Sequence, residues 1–65
     1  MEVIINGEAR TIEPMSVTEL LRFLGIDTQR VAVELNLDIL AKAAYDSTRL
    51  NDGDRLEIVH FVGGG

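Results

Sequence analysis

Apolar and polar positions recur at two different periods along the chain, and the changes of period divide it into elements. Val3, Ile4 and Ile5 make a β-branched run within Glu2–Asn6, the composition of a short strand. Asn6-Gly7 follows, a dipeptide that readily takes the positive φ values of a type I′ hairpin turn. Glu8 to Glu13 is therefore predicted as the returning strand, stopped by Pro14, which has no N–H for a sheet ladder. The period then lengthens, with Val17, Leu20, Leu21 and Leu24 at helical spacing. Ser16 and Glu19 form an S-x-x-E capping box, and Met15 and Leu20 have the spacing of a hydrophobic staple. Gly25 suits the left-handed position that ends a helix, and Ile26 can fold back onto Leu21 in a Schellman ending. The predicted helix is Val17 to Leu24.

Period two returns at Val31, Val33 and Leu35, a third strand. Asn36-Leu37 is read as a turn, Ile39 and Leu40 as a short strand, and Ala41 to Tyr45 as a loop or a single helical turn. The cluster Asn51-Asp52-Gly53-Asp54 marks another turn. It launches a last strand, Arg55 to Val62, with Leu56 and Ile58 on the core face and Val59 and Phe61 opposite. The sequence predicts an α+β fold, one main helix packed across a mixed sheet of four to five strands. Residues 1–65 are expected to form a single domain, with 63–65 as a flexible glycine tail.

Composition narrows what can hold such a fold together. A chain of 65 residues is too short for two cores and buries only ~60% of its unfolded surface. It has no cysteine and one histidine, His60, so neither a disulfide nor a metal site is expected to staple it. Its 46% apolar content must supply a plain hydrophobic core. The amino end does not read as a signal peptide, and no apolar run approaches the roughly 20 residues of a membrane span. A soluble cytoplasmic protein with no membrane partner is the expectation. The net charge of −5 repels phosphate backbones and argues against nucleic acid. The acidic excess either steers the protein toward a basic partner or keeps it in solution.

The inventory for chemistry is thin. No cysteine, G-x-S-x-G motif or phosphate-cradling loop is present, and Gly53 stands among acids as a turn residue. No orienting group is implied at a fixed spacing from His60, so it reads as a surface or rim histidine and not a general base. The unusual feature is Gly63-Gly64-Gly65 directly after the apolar stretch Val59-His60-Phe61-Val62. Glycine reaches conformations closed to other residues, so such a tail can thread a narrow channel. The alternative is a frayed end, common at termini. Placed after an exposed apolar strand, the tail reads as a reacting group beside a docking surface. A carboxylate there carries a group only after activation, for instance as an acyl-adenylate. With no cysteine to hold a persulfide, any sulfur carried covalently would sit on the terminal carbonyl.

The stretch Leu50-Asn51-Asp52-Gly53-Asp54-Arg55-Leu56-Glu57-Ile58-Val59-His60-Phe61-Val62-Gly63-Gly64-Gly65 closely resembles the ending of the ThiS family, the sulfur carriers of the thiamine pathway. The opening strand with Asn6-Gly7, the helix around Thr18-Glu19-Leu20-Leu21, and Val31-Ala32-Val33-Glu34 match the family as well, so the resemblance spans essentially the whole chain. It implies a ubiquitin-like β-grasp fold and a protein that is a cosubstrate of other enzymes. A ThiF-like activating enzyme is expected to use ATP to adenylate the Gly65 carboxylate. Sulfur from a donor such as a cysteine desulfurase or rhodanese then makes a thiocarboxylate, which a ThiG-like thiazole synthase consumes. No bound cofactor or metal is implied. The resemblance assigns Gly64 and Gly65 to the functional terminus and Glu57, Val59, Phe61 and Val62 to the strand that meets partners.

The sequence departs from the family at Asn36-Leu37, where Asn-Gly is common. Leucine resists positive φ, so a turn of another type is expected there. Three rival classes share part of the pattern. A molybdopterin-synthase sulfur carrier has the same fold and diglycine, but such chains tend to be longer, with prolines before the tail. A ubiquitin-like modifier would join Gly65 to a target lysine. A noncatalytic interaction module would have an incidental tail.

Overall fold

The computed structural model describes residues 1–61. Two strands open the chain, β1 (Glu2–Ile5) and β2 (Glu8–Thr11), followed by one helix, α1 (Val17–Phe23). Three strands follow: β3 (Val31–Leu35), β4 (Asp38–Leu40) and β5 (Arg55–His60). They form one five-stranded sheet in the order β2-β1-β5-β3-β4. The β1–β5 pair is parallel, and the others are antiparallel. The last strand is thus the middle of the sheet, and the arrangement is the β-grasp expected from the sequence.

Local chemistry accounts for the boundaries. Asn6 and Gly7 take φ of 49° and 84° between the paired residues Ile5 and Glu8, the two-residue I′ hairpin. The second strand ends at Thr11, two residues before the predicted end, although the Ile12 N–H still bonds the Met1 carbonyl at 2.9 Å. Ser16 Oγ accepts from the Glu19 amide at 3.1 Å, and Glu19 Oε1 accepts from the Ser16 amide at 2.8 Å. The predicted capping box is therefore closed in both directions. Leu24 is the C-cap. Gly25, at φ 74°, donates to the Arg22 carbonyl, and Ile26 donates to that of Leu21 at 2.8 Å. These two bonds make the Schellman ending.

The core lies between α1 and one face of the sheet. Val17, Leu20 and Leu21 of the helix pack with Val3, Ile5, Val31, Val33, Leu56 and Ile58 of the three central strands. Tyr45 and Leu50, from the connection before β5, close the end of this cluster. The ambiguous segment after β4 resolves as a 3₁₀ turn, Lys42–Ala44.

One expectation is corrected. The Asn36-Leu37 turn is not of another type: both residues have positive φ, 51° and 75°, between the paired Leu35 and Asp38. It is a second two-residue I′ hairpin despite its leucine. The inference from leucine's steric preference failed because the β3–β4 pairing fixes the turn, and Leu37 adopts the conformation as a residue 81% exposed.

Candidate functional site: the last strand and its open face

Alternation along β5 separates two faces. Leu56 and Ile58 point into the core at 0% and 6% exposure, whereas Glu57 and Val59 are exposed. Phe61 follows the strand, and its N–H bonds the Arg30 carbonyl at 2.9 Å, so it continues the β3 pairing and shares the face of Glu57 and Val59. The predicted partner-facing residues Glu57, Val59 and Phe61 are therefore brought together on the face that α1 leaves uncovered. Gly63, Gly64, Gly65 and Val62 lie outside the described residues.

Cross-strand register extends that face. Val59 is paired with Ala32, and Glu57 with Glu34, which is in turn paired with Ile39. Residues opposite one another share a face, which adds Ala32, Glu34 and Ile39. Ile39, Val59 and Phe61 are respectively 83%, 55% and 60% exposed. The result is an apolar surface around a pair of carboxylates. The ion pairs among the described residues are Arg30–Asp27 and Arg49–Glu19, so neither Glu34 nor Glu57 is neutralised there. Lys42 Nζ stands 5.2 Å from the Phe61 ring centroid, a cation–π contact at the edge of the face. Ile39 was legible in the sequence as a strand residue. Its place on this face follows only from register.

The predicted rim histidine is where the sequence placed it. His60 is exposed and lines a cleft with Ile5, Asn6, Glu8, Arg10, Leu24, Ile26 and Ile58. Among the described residues no group of three or more histidines, cysteines or carboxylates is arranged to hold a metal ion. No helix among them is long and apolar enough to cross a membrane.

Sequence reasoning missed how β5 is held. Asn6 and Asn36 were legible as turn formers only, yet both side chains reach β5. Asn6 Oδ1 accepts from the Ile58 amide at 2.7 Å, and Asn6 Nδ2 donates to the Ile58 carbonyl at 3.2 Å. On the other edge, Asn36 Oδ1 accepts from the Arg55 amide at 2.9 Å, and its Nδ2 donates to Asp54 Oδ1 at 3.0 Å. Asp54, itself buried, accepts from the Asn51 amide through Oδ2 at 2.7 Å. The strand is thereby anchored at its start and along its length by three short polar side chains. The one available signal was that each hairpin turn opens with asparagine, whose carboxamide both donates and accepts.

Comparison with known proteins agrees with this architecture. The ThiS family model matches residues 3–65. A crystal structure of a thiamine biosynthesis protein (ThiS) from Geobacter metallireducens superimposes with a TM-score of 0.86 at 40% identity, covering 100% of both chains. The sulfur carrier protein ThiS of Thermus thermophilus is 35% identical over 61 residues, 94% of this chain and 95% of that one. A thiazole synthase from Paramagnetospirillum magneticum is 52% identical over 66 residues; the match covers 100% of this chain but 20% of that protein. By the family match along nearly its whole length and the shared fold, the chain belongs to the ThiS family.

Proposed function

We propose that the chain is a sulfur carrier of thiamine biosynthesis, acted on by partner enzymes and not itself an enzyme. The observation that carries this reading is the family match, which runs through the terminal glycines to Gly65. A carboxylate is a poor electrophile, so the first step is activation. An oxygen of the Gly65 carboxylate attacks the α-phosphorus of ATP on an adenylating enzyme, and pyrophosphate leaves. A sulfur nucleophile supplied by a persulfide donor then attacks the acyl carbon, and AMP leaves. Reductive cleavage of the donor's sulfur–sulfur bond by a thiol frees the thiocarboxylate. A thiazole synthase takes up that sulfur, a pairing supported by the relative in which a segment similar to this chain is part of a thiazole synthase.

The exposed face of β5 is the docking surface in this scheme. Its apolar residues Ile39, Val59 and Phe61 supply area, and Glu34 and Glu57 supply charge that favours a basic partner surface. No ATP site is required of this chain. The test is ATP–pyrophosphate exchange by the adenylating enzyme of the same genome. Exchange should depend on added chain and saturate with it. Exchange that is indifferent to the chain would overturn the reading.

A further inference from the structure

Leu37 is held where a leucine gains little from the fold. Its φ of 75° lies in the left-handed region, which costs stability in a residue with a Cβ. The residue is exposed and does not belong to the core cluster, so packing within the chain does not offset that cost. The backbone around it is fixed. The Asn36 amide donates to the Arg55 carbonyl at 2.8 Å, and Asn36 Oδ1 accepts from the Arg55 amide at 2.9 Å. The β3–β4 turn is thereby tied to the start of β5 in both directions, and Asn36, Leu37, Gly53 and Arg55 line a cleft.

Through Arg55 that cleft borders on the uncovered face of the sheet. Arg55 precedes Glu57 by two residues in β5 and shares its face. Ile39, exposed like Leu37, follows two residues later on the same hairpin. The charges along the face are ordered, with Arg55 at the cleft and then Glu57 with Glu34 beside it. Arg55 enters no ion pair among the described residues.

We propose that Leu37 anchors the docking of the adenylating enzyme, and that the enzyme meets this cleft with an apolar side chain beside a carboxylate. The proposal rests on the carrier reading above and adds a subsite to its docking surface. The two groups in the cleft define their complement: Leu37 takes apolar contact, and the Arg55 guanidinium takes a carboxylate in paired hydrogen bonds. The order of charge sets the register, because a partner slid along β5 would bring its carboxylate against Glu57 or its basic group against Arg55. A residue in a turn tied at both ends loses little backbone freedom on binding. Strain kept at an exposed apolar residue points to a use outside the fold.

Binding to the adenylating enzyme of the same genome is measured by calorimetry, with thermal melts confirming that each variant is folded. Glycine is at ease at positive φ, so Leu37→Gly keeps the turn and removes only the side chain. It should raise Kd about tenfold without lowering Tm, which separates lost contact from lost fold. Leu37→Asn, a polar residue that also tolerates this conformation, should weaken binding to a similar degree, and it carries the test if glycine loosens the hairpin. Arg55→Gln should raise Kd about threefold or more and flatten its dependence on salt. Phe23→Ala removes an exposed apolar side chain from α1, on the opposite side of the sheet, and should bind like the unaltered chain. Wild-type affinity in Leu37→Gly or Leu37→Asn, an unchanged salt dependence in Arg55→Gln, or an equal loss in Phe23→Ala overturns the proposal. If the unaltered chain does not bind the enzyme, it is the carrier reading that fails.

Discussion

Replacing Leu37 with glycine should make the protein more stable although it deletes an apolar side chain. Leu37 sits at φ 75° in the β3–β4 turn, where a residue with a Cβ is strained by about 2 kcal/mol. Opposing the relief is glycine's larger conformational entropy in the unfolded chain, about 0.7 kcal/mol. The residue is 81% exposed, so its lost burial amounts to only about 0.4 kcal/mol. The balance is a stabilisation of about 1 kcal/mol, and for a domain of this size a rise in Tm of about 4–8 °C. Thermal melts and urea titrations of Leu37→Gly and Leu37→Ala separate strain from packing. Alanine loses the same contacts but keeps the Cβ, so it should be neutral or slightly destabilising. If both variants lose stability together, Leu37 contributes through contacts and the strain argument is wrong.

Phe61→Asp should weaken binding to the adenylating enzyme by about tenfold or more by calorimetry, with Tm nearly unchanged because the residue is 60% exposed; a collapsed fold would place Phe61 in the core. Ser16→Ala removes the hydroxyl from the capping box and should cost about 1 kcal/mol, read as a lower urea midpoint. The Glu19 carboxyl is held below its ordinary value of 4.5, chiefly by the Ser16 amide and hydroxyl and further by Arg49 and Arg22. A carboxyl with a depressed folded pKa contributes stability above its unfolded pKa and loses it as pH falls through the folded value. The urea midpoint should therefore drop below about pH 4.5, and more steeply in the unaltered protein than in Glu19→Gln. An equal slope in the two would show that Glu19 does not contribute to the acid limb. Gly64→Val should leave Tm unchanged and slow pyrophosphate exchange on the order of a hundredfold, unless the tail needs no narrow channel.

What could be seen in the sequence was whatever local chemistry decides. The capping box at Ser16 and Glu19, the glycine ending at Gly25, the Asn6-Gly7 turn and the alternation of Leu56 and Ile58 all depend on residues within a few positions of one another. The strand order was not local: nothing near Arg55 says that it lies beside Ile4, across the whole chain. The family resemblance implied the β-grasp fold, but the strand order itself came from the structure. Leu37 shows the reverse error, a local preference overridden by the pairing of the strands around it. The shared face of Val59 and Phe61 was legible because alternation alone sets it. Ile39 needed register to join them. The carboxamides of Asn6 and Asn36 reach residues 52 and 19 positions away, a separation that no spacing rule covers.

The central claim, that this chain carries sulfur on its terminal carbonyl, is tested most directly by intact-mass spectrometry. The chain is incubated with ATP, the adenylating enzyme, a persulfide donor and a thiol reductant, beside a verified ThiS carrier treated identically. The account predicts a product heavier by one sulfur less one oxygen, with fragmentation assigning the change to Gly65. It also predicts that the product reverts to the starting mass when thiazole synthase and its substrates consume the sulfur. An unchanged mass under conditions that convert the verified carrier, or a sulfur located anywhere other than Gly65, would contradict it.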